Sequence, residues 1–318
     1  MFEKIIETIK SASKIAIFTH TNPDGDAMGS SYSLKLALKA IGKRAEVYLE
    51  DGYETAAWSL IRGKESDGLE FSDCDLAVAL DCGDVFRLGS HEDDFLKFDN
   101  SIAIDHHITH KEFAKSGTVI ENISSTCELI YGLYVEMGIF IDTDIANNLY
   151  IGLISDTGNF KYSSVTSKTH IVAANLIDSG VNFANISKVL FDTKSMGYLN
   201  LMKMAIEKLD VYLDGCVAVL HLAESDFENA GISEQGAVGI VTLPISIKGV
   251  QVGVYIRTRA NGEYKVSLRS NNTVDVAAIA DYFGGGGHVC ASGYTAKNTT
   301  VEEITKKVLT EIKKLELR

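Results

Sequence analysis

Proline and cysteine are scarce: the chain has two prolines and five cysteines in 318 residues. Cys74, Cys82, Cys127, Cys216 and Cys290 are odd in number, scattered and never in a CxxC pair. That argues against a disulfide framework or a thiolate zinc site, and makes a reducing cytoplasm the expected location. Long hydrophobic runs are missing too. None approaches the ~20 residues that cross a bilayer, so no membrane partner is expected. The opening MFEKIIETIKSASK has periodic rather than continuous apolar residues, and reads as an amphipathic helix instead of a signal peptide. Positive charge is in deficit, with 30 Lys and Arg against 43 Asp and Glu and a formal net charge of -13. Such a chain is poorly suited to coating long duplex nucleic acid, where phosphate neutralisation dominates affinity. A small phosphate ligand held by local charge or by metals remains open.

What is present describes a globular protein. Apolar residues make up 46% of the chain, and the length exceeds one ordinary core, so two domains are expected. In the first half, continuous apolar runs alternate with helical patterns. KIAIFTH, RAEVYLE, DLAVALD and SIAIDHH read as strands. SSYSLKLALKAIG, TCELIYGLYVEMG and TDIANNLYIGLISDTG read as helices. Continuous runs fit parallel strands covered on both faces, which predicts an α/β fold with an N-terminal parallel sheet. Residues 1–190 are expected to form this domain, 191–212 a helical connector, and 213–318 a smaller mixed α/β domain. A soft boundary near residue 195 has no Pro/Gly-rich linker to mark it. NISKVLF and YLNLMKMAIEKLDVY carry the helical connector pattern. CVAVLHL, VQVGVYIRTR and EYKVSLRS are strand-like, and VDVAAIADYF and VEEITKKVLTEIKKLEL are helical.

In open α/β sheets, ligands bind beyond the carboxyl ends of strands. Three strand ends here carry metal-type side chains. The first gives His20 and then the loop TNPDGDAMGS with Asp24 and Asp26. The third ends at Asp81, and the fourth in Asp105, His106 and His107. Asp156, at the end of a helical pattern, is a further contributor. A single Asp at such a place is usually a cap or turn former. The coincidence of several Asp and His ends, with no Lys or Arg among them, favours metal binding. Four carboxylates in one pocket could not all stay ionised without compensation. Two divalent cations would balance them. Imidazole and carboxylate donors without thiolate fit Mn²⁺ first, with Mg²⁺ or Co²⁺ compatible. A pair of such ions ~3.5–4 Å apart is the usual clamp for phosphoryl transfer to water.

HTNPDGDAMGS, LDCGD, IDHH and SDTGNF resemble the four motifs of the DHH phosphoesterase superfamily, and GGGGHVCASG resembles the signature of its companion DHHA1 domain. Five motifs in order cover nearly the whole chain. Length and the absence of extra domains make it most similar to the stand-alone oligoribonuclease/pAp-phosphatase type, or nanoRNase. The resemblance implies a manganese-dependent phosphoesterase. One metal would be held by His20, Asp24 and Asp81, the other by Asp26, Asp81, His106 and Asp156, so that Asp81 bridges. His107 would face the scissile phosphate, and Asp105 would orient a neighbouring group. His110 has no counterpart in the resemblance and reads as surface or helix-cap chemistry.

In the second half, FGGGGH offers backbone donors at Gly285, Gly286 and Gly287, followed by His288. A local basic hairpin carries Lys248, Arg257, Arg259, Lys265 and Arg269 against a single acid, Glu263. A two-residue Asn261-Gly262 turn would put the two basic sets on opposite sides of the sheet, and a bulge would bring them together. VSLRS resembles the family's substrate-contact segment, which makes Arg269 and Ser270 substrate-binding candidates. The expected arrangement is a metal-bearing domain and a nucleotide-gripping domain meeting at a cleft. Expected partners are short RNA or DNA oligonucleotides, linear dinucleotides and pAp, and a homodimer is compatible with the sequence. Cyclic-dinucleotide phosphodiesterase and a catalytically silent nucleotide-binding regulator are the alternatives.

Overall fold

The structure is a computed structural model that describes residues 2–50, 55–120, 123–234, 236–259, 261–271 and 274–314. It divides into two compact units, Met1–Thr193 and Lys194–Arg318. In the first, chain order is α1 Glu3–Ser11, β1 Lys14–Thr19, α2 Gly25–Ala40, β2 Arg44–Tyr48 and α3 Ala56–Leu60. Next come β3 Leu76–Leu80, α4 Glu92–Lys97, β4 Ser101–Asp105 and β5 Gly117–Ile120. Helices α5 Thr126–Met137, α6 Thr143–Asp156, α7 Ser167–Asp178 and α8 Phe183–Ser187 complete it.

The five strands form a parallel sheet in the order β2-β1-β3-β4-β5. All four expected strands are there, in sequence order and type. Every residue of β3 and β4 is buried, which is why their runs are continuous rather than alternating. The order reverses between β1 and β3, so the crevice beyond their carboxyl ends is the topological switch point. Edge strand β5 is an addition to the expected set. Its four residues are too short to show a period.

Helix α2 begins at Gly25, five residues before the expected start. Its two neighbours explain why. Asp24 caps it by accepting from the N–H groups of Asp26 and Ala27. Gly25 and Gly29 then let it lie directly against α6. A Cβ on Gly25 would collide with Ser155, and one on Gly29 would sit 2.5 Å from the Asn148 carbonyl oxygen and 3.1 Å from the Gly152 nitrogen. Gly25 thus meets the end of α6 while Gly29 meets its middle, so the two helices run antiparallel. The result is chemical as well as mechanical: the acidic start of α2 lies beside the acidic end of α6.

The second unit runs α9 Met196–Glu207, β6 Leu209–Tyr212, β7 Val217–Leu222, α10 Glu224–Ala230, β8 Val252–Thr258, β9 Tyr264–Ser270, α11 Val276–Tyr282, β10 Gly286–His288, β11 Ala291–Ala296 and α12 Val301–Lys313. Its mixed sheet has the order β10-β11-β9-β8-β7-β6, in which β7 and β8 run parallel and the other neighbours antiparallel. One face packs Val254, Ile256, Val266 and Leu268 against α11 and α12. Helix α9, within the stretch expected to be a connector, instead packs Leu201 and Ala205 on Leu220, Leu222 and Phe227 of the second unit. The residues LDVY, expected to continue it as helix, are strand β6.

Candidate metal centre and substrate face

His20 follows β1, Asp81 follows β3, and Asp105, His106 and His107 end or follow β4. Asp24 and Asp26 open α2, and Asp156 ends α6. The parallel sheet and the close α2–α6 pairing bring these positions together. Among the described residues, three groups of side chains have donor atoms within 4.8 Å of one another: His20, Asp24 and Asp81; Asp26, His106 and Asp156; and Asp81, His106 and His107. Asp81 belongs to two of them. Its Oδ2 lies 3.6 Å from His20 Nε2, and its Oδ1 lies 3.5 Å from His106 Nε2. Asp156 Oδ2 is 3.0 Å from the same His106 nitrogen, and Asp24 Oδ2 is 3.9 Å from His20 Nε2.

Whether these side chains suit metal ions can be judged from their hydrogen bonds. His20 Nδ1 is 2.9 Å from the Thr21 carbonyl oxygen, and His106 Nδ1 is 3.2 Å from that of Ile123. A carbonyl only accepts, so each ring donates through Nδ1–H and turns Nε2 toward the carboxylates. That is the tautomer a cation requires. Asp26 is fully buried and accepts from the N–H groups of Thr126 at 2.6 Å and Cys127 at 2.9 Å. The N-terminus of α5 therefore fixes its plane and offsets part of its charge. Asp81 accepts from Thr126 Oγ1 at 2.9 Å and holds a left-handed φ of 56°. Backbone strain of this kind concentrates at functional sites.

The electrostatics agree with the donor set. Burial, with the charges of Asp81 and Asp156 added, pushes the Asp26 carboxyl well above its ordinary value. Burial alone would push His106 down, but its hydrogen bond to Asp156 and the charges of Asp26 and Asp81 lift it to about 10. Burial likewise opposes the charge on Asp81, yet His20, His106 and His107 hold its carboxyl below the usual range. Left to itself, the pocket attracts protons to its ring nitrogens and to Asp26. Divalent cations would take their place, so the residues fit such ions.

His107, which shares a group with Asp81 and His106, is also paired with Asp105. His107 Nδ1 lies 2.7 Å from Asp105 Oδ1. Asp105 has no exposed surface. Burial opposes its charge, but hydrogen bonds from His107 and His110 hold its carboxyl far below the carboxylate range. His110 corrects the expectation of surface or cap chemistry. Its side chain is 0% exposed, and Nδ1 lies 2.7 Å from Asp105 Oδ2. Sequence reasoning also misses Thr126 and Cys127 as contributors to the site. Their signal is readable, since Ser125 and Glu128 mark a helix N-terminus and such termini bind anions.

In the second unit, the hairpin register decides which basic side chains share a face. Arg257 pairs with Lys265, Tyr255 with Ser267 and Gly253 with Arg269. Arg259 N–H donates to the Glu263 carbonyl, so three residues, 260–262, lie between the paired ends. That extra residue is what a two-residue Asn-Gly turn lacks, and it places both basic sets on one face. Arg269 pairs with Ala291, which pairs with His288, so Arg269 and His288 lie in one row across the sheet. Gly286 belongs to the same face, through Gly293 and Ser267. Tyr255, Arg257, Lys265, Ser267 and Arg269 line a cavity of 280 Å³, in which Glu234 pairs with Arg257. Ser270 lies on the opposite, core face, where its Oγ accepts from Val274 N–H at 3.1 Å. Gly285 is packed so closely that a Cβ would strike the Gly293 carbonyl, while Gly287 has a φ of 142° and pairs with Ser292. The glycine run is in part the edge strand β10.

Residues 14–153 match the DHH family, N-terminal domain, and residues 214–314 match the DHHA1 domain. The chain is similar to the bifunctional oligoribonuclease and PAP phosphatase NrnA of Thermus thermophilus, at 32% identity over 97% of this chain and 92% of that protein. It is similar to the probable bifunctional oligoribonuclease and PAP phosphatase NrnA of Streptococcus mutans, at 28% identity over 92% of each. Among solved structures, it resembles an exopolyphosphatase-related protein from Bacteroides fragilis. That match has a TM-score of 0.87 and 28% identity, covering 98% of this chain and 95% of that one. With the strand-end motifs, the two-sheet fold and these matches together, the chain belongs to the DHH family and carries its companion DHHA1 domain.

Proposed function

We propose that this protein hydrolyses phosphoester bonds in short oligonucleotides, linear dinucleotides and pAp, releasing nucleoside monophosphates. The observation that carries the reading is the convergence of His20, Asp24, Asp26, Asp81, His106, His107 and Asp156, with the His20 and His106 imidazoles presenting Nε2. The activities named for the two NrnA relatives supply the substrate class. His20, Asp24 and Asp81 would hold one divalent cation, and Asp26, Asp81, His106 and Asp156 the other, with Mn²⁺ the first choice. When bound, such a pair supplies an activated water and charge stabilisation at phosphorus.

The chain's own groups do the rest. Thr126 and the α5 N-terminus keep Asp81 and Asp26 in place. His107, with Nδ1 committed to Asp105, offers Nε2 to the scissile phosphate. Arg269 and His288, sharing one row of the second sheet, hold a terminal phosphate, and Gly286 leaves their face open for it. A hold on a terminal phosphate selects short chains over long ones. The net charge of -13 repels extended nucleic acid elsewhere on the surface.

The test is a rate comparison on pApA, pGpG, short RNA, pAp and c-di-AMP, with Mn²⁺ and then with chelator. Turnover of the linear substrates and pAp, lost on chelation and restored by metal, is expected. Turnover that survives complete metal removal refutes the metal account, and no turnover of any of these substrates refutes the proposed reaction.

A further inference from the structure

The Asp105 carboxylate is shared by two imidazoles. Oδ1 accepts from His107 Nδ1 at 2.7 Å and from the His106 main-chain N–H at 2.9 Å. Oδ2 faces His110 Nδ1 at 2.7 Å. His110 reaches it through a tight return of the chain. Its N–H donates to the His107 carbonyl at 3.1 Å, and Lys111 N–H donates to the Gly83 carbonyl at 2.9 Å. The ring stacks on Phe113 at a centroid distance of 5.3 Å and an interplanar angle of 23°. Its other nitrogen, Nε2, is buried without a hydrogen-bond partner.

Burial of a polar ring against phenylalanine is unfavourable unless its one engaged atom does something. Nε2 belongs to none of the three groups that could hold a metal ion, and it has no outlet to solvent. The remaining atom, Nδ1, is spent entirely on Asp105 Oδ2. A carboxylate with one bonded oxygen can still rotate about its last torsion, and a buried one left half-paired is costly. With both oxygens engaged, the plane of Asp105 is fixed, and so is the position of the oxygen that holds His107.

We infer that His110 is a positioning residue for the phosphoester reaction: by hydrogen-bonding the far oxygen of Asp105, it locks the ring of His107 with Nε2 presented to substrate. The inference rests on the proposed function only for its kinetic readout. Residues of this kind sit one step behind the reacting groups, and losing one typically costs on the order of 10–100-fold.

Two variants separate positioning from packing. In His110→Asn, the amide nitrogen occupies the place of Nδ1, keeping the donor and losing most of the ring. In His110→Phe, the ring remains and the donor goes. Positioning predicts that Asn keeps kcat within roughly threefold while Phe loses kcat by roughly 10–100-fold, with KM changed less than about twofold in both. The second readout needs no turnover. With ¹⁵N-labelled histidine, His107 should give one set of ring resonances with Nδ1 protonated in the wild type and in His110→Asn. His110→Phe should broaden or split that set. His110→Ala provides a second donor-free variant if the Phe variant fails to fold. Kinetics in which Phe equals or exceeds Asn, together with His107 resonances indifferent to the donor, overturn the inference. A wild type inactive on every phosphoester but with donor-dependent His107 resonances overturns the proposed reaction and leaves the positioning role standing.

Discussion

Replacing Gly29 by alanine adds one methyl group to α2, some distance along the helix from the reacting groups, and should disable the site. The new Cβ would lie 2.5 Å from the Asn148 carbonyl oxygen, 3.1 Å from Cys127 Sγ and 3.1 Å from the Gly152 nitrogen. Two of the three obstacles are main chain of α6, which has no rotamer with which to yield. Restoring ordinary carbon–oxygen contact requires a retreat of roughly 1 Å. Asp26 and Asp156 sit on opposite helices of this pair, so the retreat separates donors that belong to one group. Alanine gains about 1 kcal/mol over glycine in helix propensity. Overpacking costs about 1–3 kcal/mol, so a net loss of up to about 2 kcal/mol is expected. A displacement of about 1 Å in a catalytic arrangement can cost roughly 100-fold in rate, and that is the predicted loss of turnover. The single tryptophan, Trp58, lies in the first unit and reports its unfolding by fluorescence. Gly132→Ala is the control. It makes the same chemical change in a helix, but its Cβ meets the Phe2 ring at 3.5 Å, an ordinary contact. It should gain stability and keep full activity. A Gly29→Ala protein as stable as that control, with normal turnover, would refute the argument from close helix approach.

Further outcomes follow from other residues. Asp81→Asn keeps the volume and the tolerance for a left-handed φ but removes the charge shared by two ligand groups. It should leave the fold intact and lower turnover by at least about 100-fold, with reduced metal binding by calorimetry. Arg269→Ala should raise KM for dinucleotides more than it lowers kcat, because Arg269 stands on the sheet face proposed to bind substrate and not among the candidate metal ligands. Glu46 concerns stability and pH. Burial opposes its charge, but Lys35 at 2.8 Å, Ser66 and the Asp67 N–H hold its carboxyl below the ordinary 4.5. A depressed folded value means the contribution is complete above about the unfolded value and disappears as pH falls through the folded one. Glu46→Gln strands the charge of Lys35, which is 3% exposed, and should cost about 3–5 kcal/mol at pH 7. The gap should narrow on acidification below 4.5, measured by denaturant titration at several pH values.

The sheet and its chemistry are legible in the sequence because buried parallel strands are continuous apolar runs, and because His20, Asp81 and Asp105 each stand where such a run stops. Asp24 and Asp26 read as loop residues, since Pro-Asp-Gly-Asp also spells a turn. In the structure both readings of Asp24 hold at once: one carboxylate oxygen caps α2 while the other faces His20. His110 is illegible because its role depends on the chain folding back within five residues to reach Asp105, and no periodicity records that. The hairpin register cannot be read because one extra residue between Arg259 and Glu263 decides it. The helical pattern of YLNLMKMAIEKLDVY hides the switch to strand at Leu209, where packing on β7 overrides local preference.

The central claim is that six dispersed side chains cage two cations, and anomalous diffraction from crystals grown with Mn²⁺ tests it most directly. Two peaks per chain are expected, one among His20, Asp24 and Asp81 and one among Asp26, His106 and Asp156, both touching Asp81. A single peak, or manganese bound elsewhere with this cluster empty, would contradict it.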